Sequence, residues 1–122
     1  MSTIEKAETS SNSLDVTEPK TNGWPSYTMV EPRMRRIYFQ FYKETYKRSE
    51  LDRKMKELIA IAASLGFKCE GCLQGHLKKA LEYGATREEI SETIAIAMGV
   101  AAASVVDQTD KVSETLQLKH FD

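Results

Sequence analysis

Residues 50–66 read ELDRKMKELIAIAASLG, and this stretch decides the fold. Leu51, Met55, Leu58, Ile59, Ala62 and Leu65 recur at the spacing of one buried helix face. From Leu58 onward only Ser64 interrupts the apolar run, which predicts burial on more than one side. The spacing predicts a helix over 50–65, with Gly66 supplying the stop.

On the N-terminal side, Pro32 suits a first helical position. Met34, Tyr38, Phe41 and Thr45 follow at helical spacing, widened by Ile37 and Tyr42. They predict a helix over 32–46 whose aromatic cluster serves core or subunit packing. Gly23 to Tyr27 reads as a turn, with Trp24 placed to pin what precedes it. Residues 1–22 are polar and lack periodicity, so a flexible tail is expected there, followed by a helical domain over 23–122.

On the C-terminal side, a third helix is expected from near Cys69 to Gly84. Thr86 and Glu89 form a capping-box pattern that opens a fourth. Ile90, Ile94, Ala97 and Ala101 mark its core stripe. Ile96–Val106 is rich in Ala, Gly and Ser, as expected of the centre of a fold or of a contact between subunits. Residues 107–122 continue helical for about two turns and then fray. Strand-like alternation and internal repeats are both lacking. The fold class is all-α: a single compact helical domain with a flexible N-terminal tail.

A chain of 122 residues suits one domain. Seventeen basic and 18 acidic side chains leave a net charge of −1, without the basic excess of a nucleic-acid binder. The first twenty residues contain no apolar run of the signal-peptide kind. The uncharged stretch Ile94–Val106 is shorter than the ~20 residues a membrane helix needs. A cytoplasmic protein is expected, free of nucleic acid and membrane. In a reducing compartment two cysteines do not ordinarily form a permanent staple. Spaced as Cys-x-x-Cys, they point to redox chemistry or metal binding.

The pair lies in Lys68-Cys69-Glu70-Gly71-Cys72-Leu73-Gln74-Gly75-His76. If a helix begins near Cys69, the two cysteines and His76 fall on one stripe, at three- and four-residue intervals. That spacing also permits a disulfide. A helix N-terminus, the adjacent Lys68 and an imidazole one turn away all favour a thiolate, the nucleophilic form. Leu73, Leu77 and Ala80 share the stripe, so His76 is half buried and needs a polar partner. Glu57 is the candidate partner, although the helix wheel places it beside Lys54 and Lys56 as a solvated side chain.

Glu57, eleven residues, Cys69-x-x-Cys72, three residues and His76 resemble the signature of the alkylhydroperoxidase D family, within the carboxymuconolactone decarboxylase superfamily. The similarity runs through Leu81-Glu82-Tyr83-Gly84-Ala85-Thr86-Arg87-Glu88-Glu89-Ile90 and covers roughly residues 50–106. The resemblance implies an all-helical subunit that assembles as a trimer or hexamer. It implies that Cys72 attacks a hydroperoxide and that Cys69 resolves the sulfenic acid into a disulfide. His76 and Glu57 would relay the proton. Better-studied members carry a second histidine just before the second cysteine, where this chain has Gly71.

Three activities follow as expectations. The first is a thiol-dependent peroxidase restored by a lipoyl-like or thioredoxin-like dithiol. The second is a disulfide-relay adapter that reduces a peroxiredoxin. The third is a lactone decarboxylase like the superfamily's namesake, whose chemistry does not use a cysteine pair. The peroxidase reading needs neither cofactor nor metal. As a metal module, Cys69, Cys72 and His76 supply three ligands where structural zinc needs four, and His120 lies in the C-terminal tail.

Overall fold

A computed structural model describes residues 27–118 and Phe121. The expected tail, the Trp24 turn and His120 lie outside the described residues. Those described form four α-helices and no strand: α1 (Pro32–Thr45), α2 (Arg53–Gly66), α3 (Glu70–Glu82) and α4 (Arg87–Leu116). The chain divides into two units at Arg53.

In the first unit Pro32 occupies the opening turn of α1, where a missing N–H costs nothing. The buried ring is Phe39, only 2% exposed, and not the expected stripe. Met34, Ile37, Tyr38 and Phe41 are all exposed. Phe39 lies on the far side of the helix from Met34 and Phe41. Tyr27 folds back over it, held by a turn in which Val30 N–H donates to Tyr27 O, and meets it edge-on at 5.2 Å. A local aromatic contact thus outweighs the longer stripe, which this unit leaves uncovered. Tyr38 packs against Tyr27 at 5.3 Å, and their hydrogen bond is the main cause that pushes the Tyr38 hydroxyl up to about 12.

In the second unit Leu58 and Ile61 of α2, Ala80 of α3 and Ala85 of the following turn form the core. Leu65, Leu73, Leu77 and Ile90 pack against it. The buried face of α2 is Glu57, Leu58, Ala60, Ile61 and Ser64, rotated from the expected one; Met55 and Ile59 are exposed. Two polar residues cause the rotation. A stripe drawn on apolar residues alone avoids Glu57 and Ser64, yet both are buried with partners. Ser64 Oγ donates to Ala60 O at 2.6 Å, and Glu57 is described below. Bonded polar groups can be buried at modest cost.

Gly66 is not the left-handed stop of α2. That role falls to Lys68, with φ 56°. Lys68 N–H donates to Leu65 O at 3.3 Å and Cys69 N–H to Ser64 O at 2.9 Å, the paired bonds of a Schellman ending. The end of α3 follows the expected form: Gly84, with φ 88°, turns the chain, and Ala85 N–H reaches Ala80 O.

Helix α4 opens on the expected capping box. Thr86 Oγ1 accepts from Glu89 N–H at 3.0 Å, and Glu89 Oε1 accepts from Thr86 N–H at 2.8 Å. The other Glu89 oxygen takes Lys54 Nζ at 2.9 Å, tying the starts of α2 and α4. The Lys54 hydrogen bond, followed by that of the Thr86 N–H, holds the Glu89 carboxyl below its ordinary value. Over its 30 residues α4 buries no side chain completely; Ile90, Thr93 and Ala97 are half-buried. Its middle is therefore not the centre of this chain's own fold. By length and composition alone α4 could also cross a membrane, since its most apolar 18 residues have a mean hydropathy of 1.5. The opposite expectation counted only the uncharged stretch Ile94–Val106, which Glu92 and Asp107 bracket.

Candidate functional site

The corner between α2 and α3 positions the cysteines. Cys69 is the N-cap of α3, with extended backbone angles, and Cys72 lies in the first turn. The two sulfurs are joined as a disulfide across a Cα–Cα distance of 5.2 Å, as one helical turn permits. Cys72 N–H donates to Cys69 Sγ at 3.3 Å. Cys69 is half-buried and Cys72 exposed. Beside them Gly71 and Gly75 leave α3 bare: a Cβ added at either would meet nothing within 4 Å.

One turn after Cys72, His76 is 8% exposed, and Glu57 is fully buried at 0%. Glu57 Oε1 lies 2.7 Å from His76 Nδ1. The solvated alternative for Glu57 is therefore wrong. A carboxylate withdrawn from water needs a strong donor, and the imidazole supplies it. With Glu57 ionised, Nδ1 carries a hydrogen, and Nε2 of a neutral ring is left as the proton acceptor. The arrangement is an oriented base, fixed by a buried partner, on the same stripe as a redox-capable sulfur pair.

Cys69, Cys72 and His76 lie on α3 from its cap into its second turn, and Glu57 reaches His76 from α2. The cysteines are bonded to each other, His76 and Glu57 are bonded to each other, and helical spacing sets Cys72 and His76 a turn apart. Among the described residues, no three His, Cys, Asp or Glu side chains converge as a metal site. The sequence reading missed the supporting role of Ser64, whose carbonyl fixes the Cys69 backbone, and the left-handed Lys68. A Schellman ending without glycine has no clear sequence mark.

The profile of the carboxymuconolactone decarboxylase family matches residues 32–112. The chain belongs to the carboxymuconolactone decarboxylase family. A Paracoccus denitrificans protein described as uncharacterized protein 4 in the cox locus is 34% identical over 74 residues, covering 61% of this chain and 67% of the relative. A Cupriavidus necator protein is 43% identical over 42 residues, covering 34% and 37%. Among solved structures, one from Methanobacterium thermoautotrophicum aligns with TM-score 0.62 at 27% identity, over 66% of this chain and 91% of that one. A Thermotoga maritima member of the carboxymuconolactone decarboxylase family, for which a part in an antioxidative response has been suggested, aligns with TM-score 0.53 at 31% identity, over 66% and 84%.

Proposed function

We propose that this family member is a thiol-dependent peroxidase of the alkylhydroperoxidase D-like kind, with Cys72 and Cys69 as its redox pair. The buried Glu57–His76 pair carries the reading, because a structural disulfide has no need of an oriented base one turn away. In the reduced protein His76 takes the Cys72 thiol proton, and Glu57 stabilises the imidazolium. The thiolate attacks the terminal, hydrogen-bearing oxygen of the hydroperoxide and the O–O bond breaks. The departing alkoxide takes the proton back from His76 as an alcohol, leaving Cys72 as sulfenic acid. Cys69 sulfur then attacks that sulfur, its thiol proton passes to the leaving hydroxide, and water departs, which closes the disulfide. A dithiol, lipoyl-like or thioredoxin-like, returns two electrons.

The exposure of Cys72 also favours a second reading, in which the disulfide exchanges with a peroxiredoxin and the chain is a relay adapter. Hydroperoxide consumption by the pure protein with a small dithiol separates the two. Turnover with no second protein is expected. No turnover until a peroxiredoxin is added would favour the adapter. A lactone decarboxylase would keep its activity on a carboxymuconolactone after both cysteines become serine. A homo-oligomer, a trimer or hexamer, is part of the proposal, because Ile96, Met98, Val100, Val105 and Val106 of α4 stand exposed on one chain.

A further inference from the structure

We infer that the disulfide is reduced in one direction: the incoming thiolate attacks Cys72 Sγ, and Cys69 departs as the leaving thiolate. This rests on the reading that the pair cycles between dithiol and disulfide.

The two sulfurs differ in what stabilises negative charge on them. Cys69 Sγ sits at the N-cap of α3 and accepts Cys72 N–H at 3.3 Å. Among the described residues no N–H reaches Cys72 Sγ, since that of its own residue is turned to Cys69. A hydrogen bond to sulfur strengthens as the sulfur gains charge, and the N-terminal turn of a helix favours an anion. The helix end serves both sulfurs, since Cys72 lies in the same first turn, but the hydrogen bond acts on Cys69 alone when the S–S bond opens. Lys68 and Glu70 flank it with opposite charges and largely offset each other, so among the immediate neighbours of Cys69 the cap is what remains. The cap also stays in place without the disulfide, because Cys69 N–H is bonded to Ser64 O at 2.9 Å through the ending of α2.

Access points the same way. An attacking sulfur must approach in line with the S–S bond, from the side away from the leaving sulfur. Cys72 is exposed and Cys69 is half-buried, so the open approach is to Cys72. In thiol–disulfide exchange the thiol of lower pKa leaves faster. Leaving-group acidity and access therefore select one route.

The balance is that of a two-step exchange. One thiolate of the dithiol forms a bond to Cys72 Sγ, the Cys69–Cys72 bond breaks, and its electron pair stays on Cys69. The second thiolate of the dithiol then attacks the reductant's own sulfur in the mixed disulfide and releases Cys72 as thiolate. The dithiol ends as a disulfide, and the pair has gained two electrons.

The test uses the oxidised full chain and a monothiol, 2-mercaptoethanol, with an acid quench after a short exposure. Free thiols are then blocked with N-ethylmaleimide, and fragmentation mass spectrometry locates each adduct. The mercaptoethanol adduct on Cys72 with maleimide on Cys69 is expected in roughly tenfold excess over the reverse. Equal adducts, or an excess on Cys69, would overturn the inference. A second measurement follows thiolate absorbance in single-cysteine variants. With His76→Gln in both, so that the base beside Cys72 does not act, the Cys69 thiol of Cys72→Ser is expected to ionise at lower pH than the Cys72 thiol of Cys69→Ser, and the opposite order would also overturn it. Neither readout involves a hydroperoxide. A chain inert to hydroperoxide but selective at Cys72 would refute the peroxidase and keep this inference. An active peroxidase with its adduct on Cys69 would refute only the inference.

Discussion

Helices α3 and α4 share one small core and use it differently. Helix α3 is 13 residues long, buries His76 and Ala80, and sets its polar group against a buried carboxylate. Helix α4 is more than twice as long and fully buries nothing, although its middle is as apolar as a core. One chain thus completes the Glu57–His76 pair by itself, while most of its longest helix stays uncovered.

The largest expected effect falls on α3's partner. Glu57→Gln keeps shape and hydrogen bonding but removes the charge that stabilises imidazolium. Hydroperoxide reduction is expected to slow by about 100–10,000-fold in a stopped assay with excess small dithiol. An unchanged rate would make the buried pair purely structural. Next comes α4. Burying a valine contributes roughly 1.5–3 kcal/mol, and Val100 is 67% exposed on the single chain. Val100→Asp is therefore expected to shift sedimentation from an oligomer toward the 13.8 kDa chain. If the unaltered protein already sediments as one chain, subunit contact is not what covers α4.

Smaller effects probe where the two helices meet the rest of the unit. Thr86→Ala removes the cap acceptor of α4 and should cost about 1 kcal/mol in urea unfolding. Lys54→Met breaks the pair with Glu89. Because the folded Glu89 carboxyl titrates below its ordinary value of 4.5, the pair stabilises the fold above that value and ceases to do so as pH falls through the lower one. The Lys54→Met loss should therefore shrink toward acid, and a loss constant with pH would show that packing, not charge, holds these helix starts together. The smallest effect expected is a gain. Lys68 has φ 56°, a region costly for any side chain, so Lys68→Gly should raise stability by up to about 1 kcal/mol.

The four helices were legible because their signals are local. Periodicity gave α2, the Thr86–Glu89 box gave the start of α4, and Gly84 gave the end of α3. The site residues were legible because their intervals are fixed by helical turns. Which face turned inward was less so. Polar Glu57 and Ser64 count against burial until their partners are known, and Glu57 finds its partner 19 residues away. Phe39 was passed over because the stripe through Met34 and Phe41 is longer, and no local spacing shows that Tyr27 folds back. Lys68 stands where glycine would be looked for, so the left-handed turn that follows α2 lay two residues beyond Gly66.

The corner at Cys69 has no slack, since one residue closes α2 and opens α3. The interval from Glu57 to Cys69 consequently behaves as a ruler. Adding a single residue within α2 would swing everything before it by about 100° about the helix axis, and carry the carboxylate out of reach of the imidazole. Insertions and deletions in this stretch should be far less tolerated than substitutions, even at positions whose side chains touch only water.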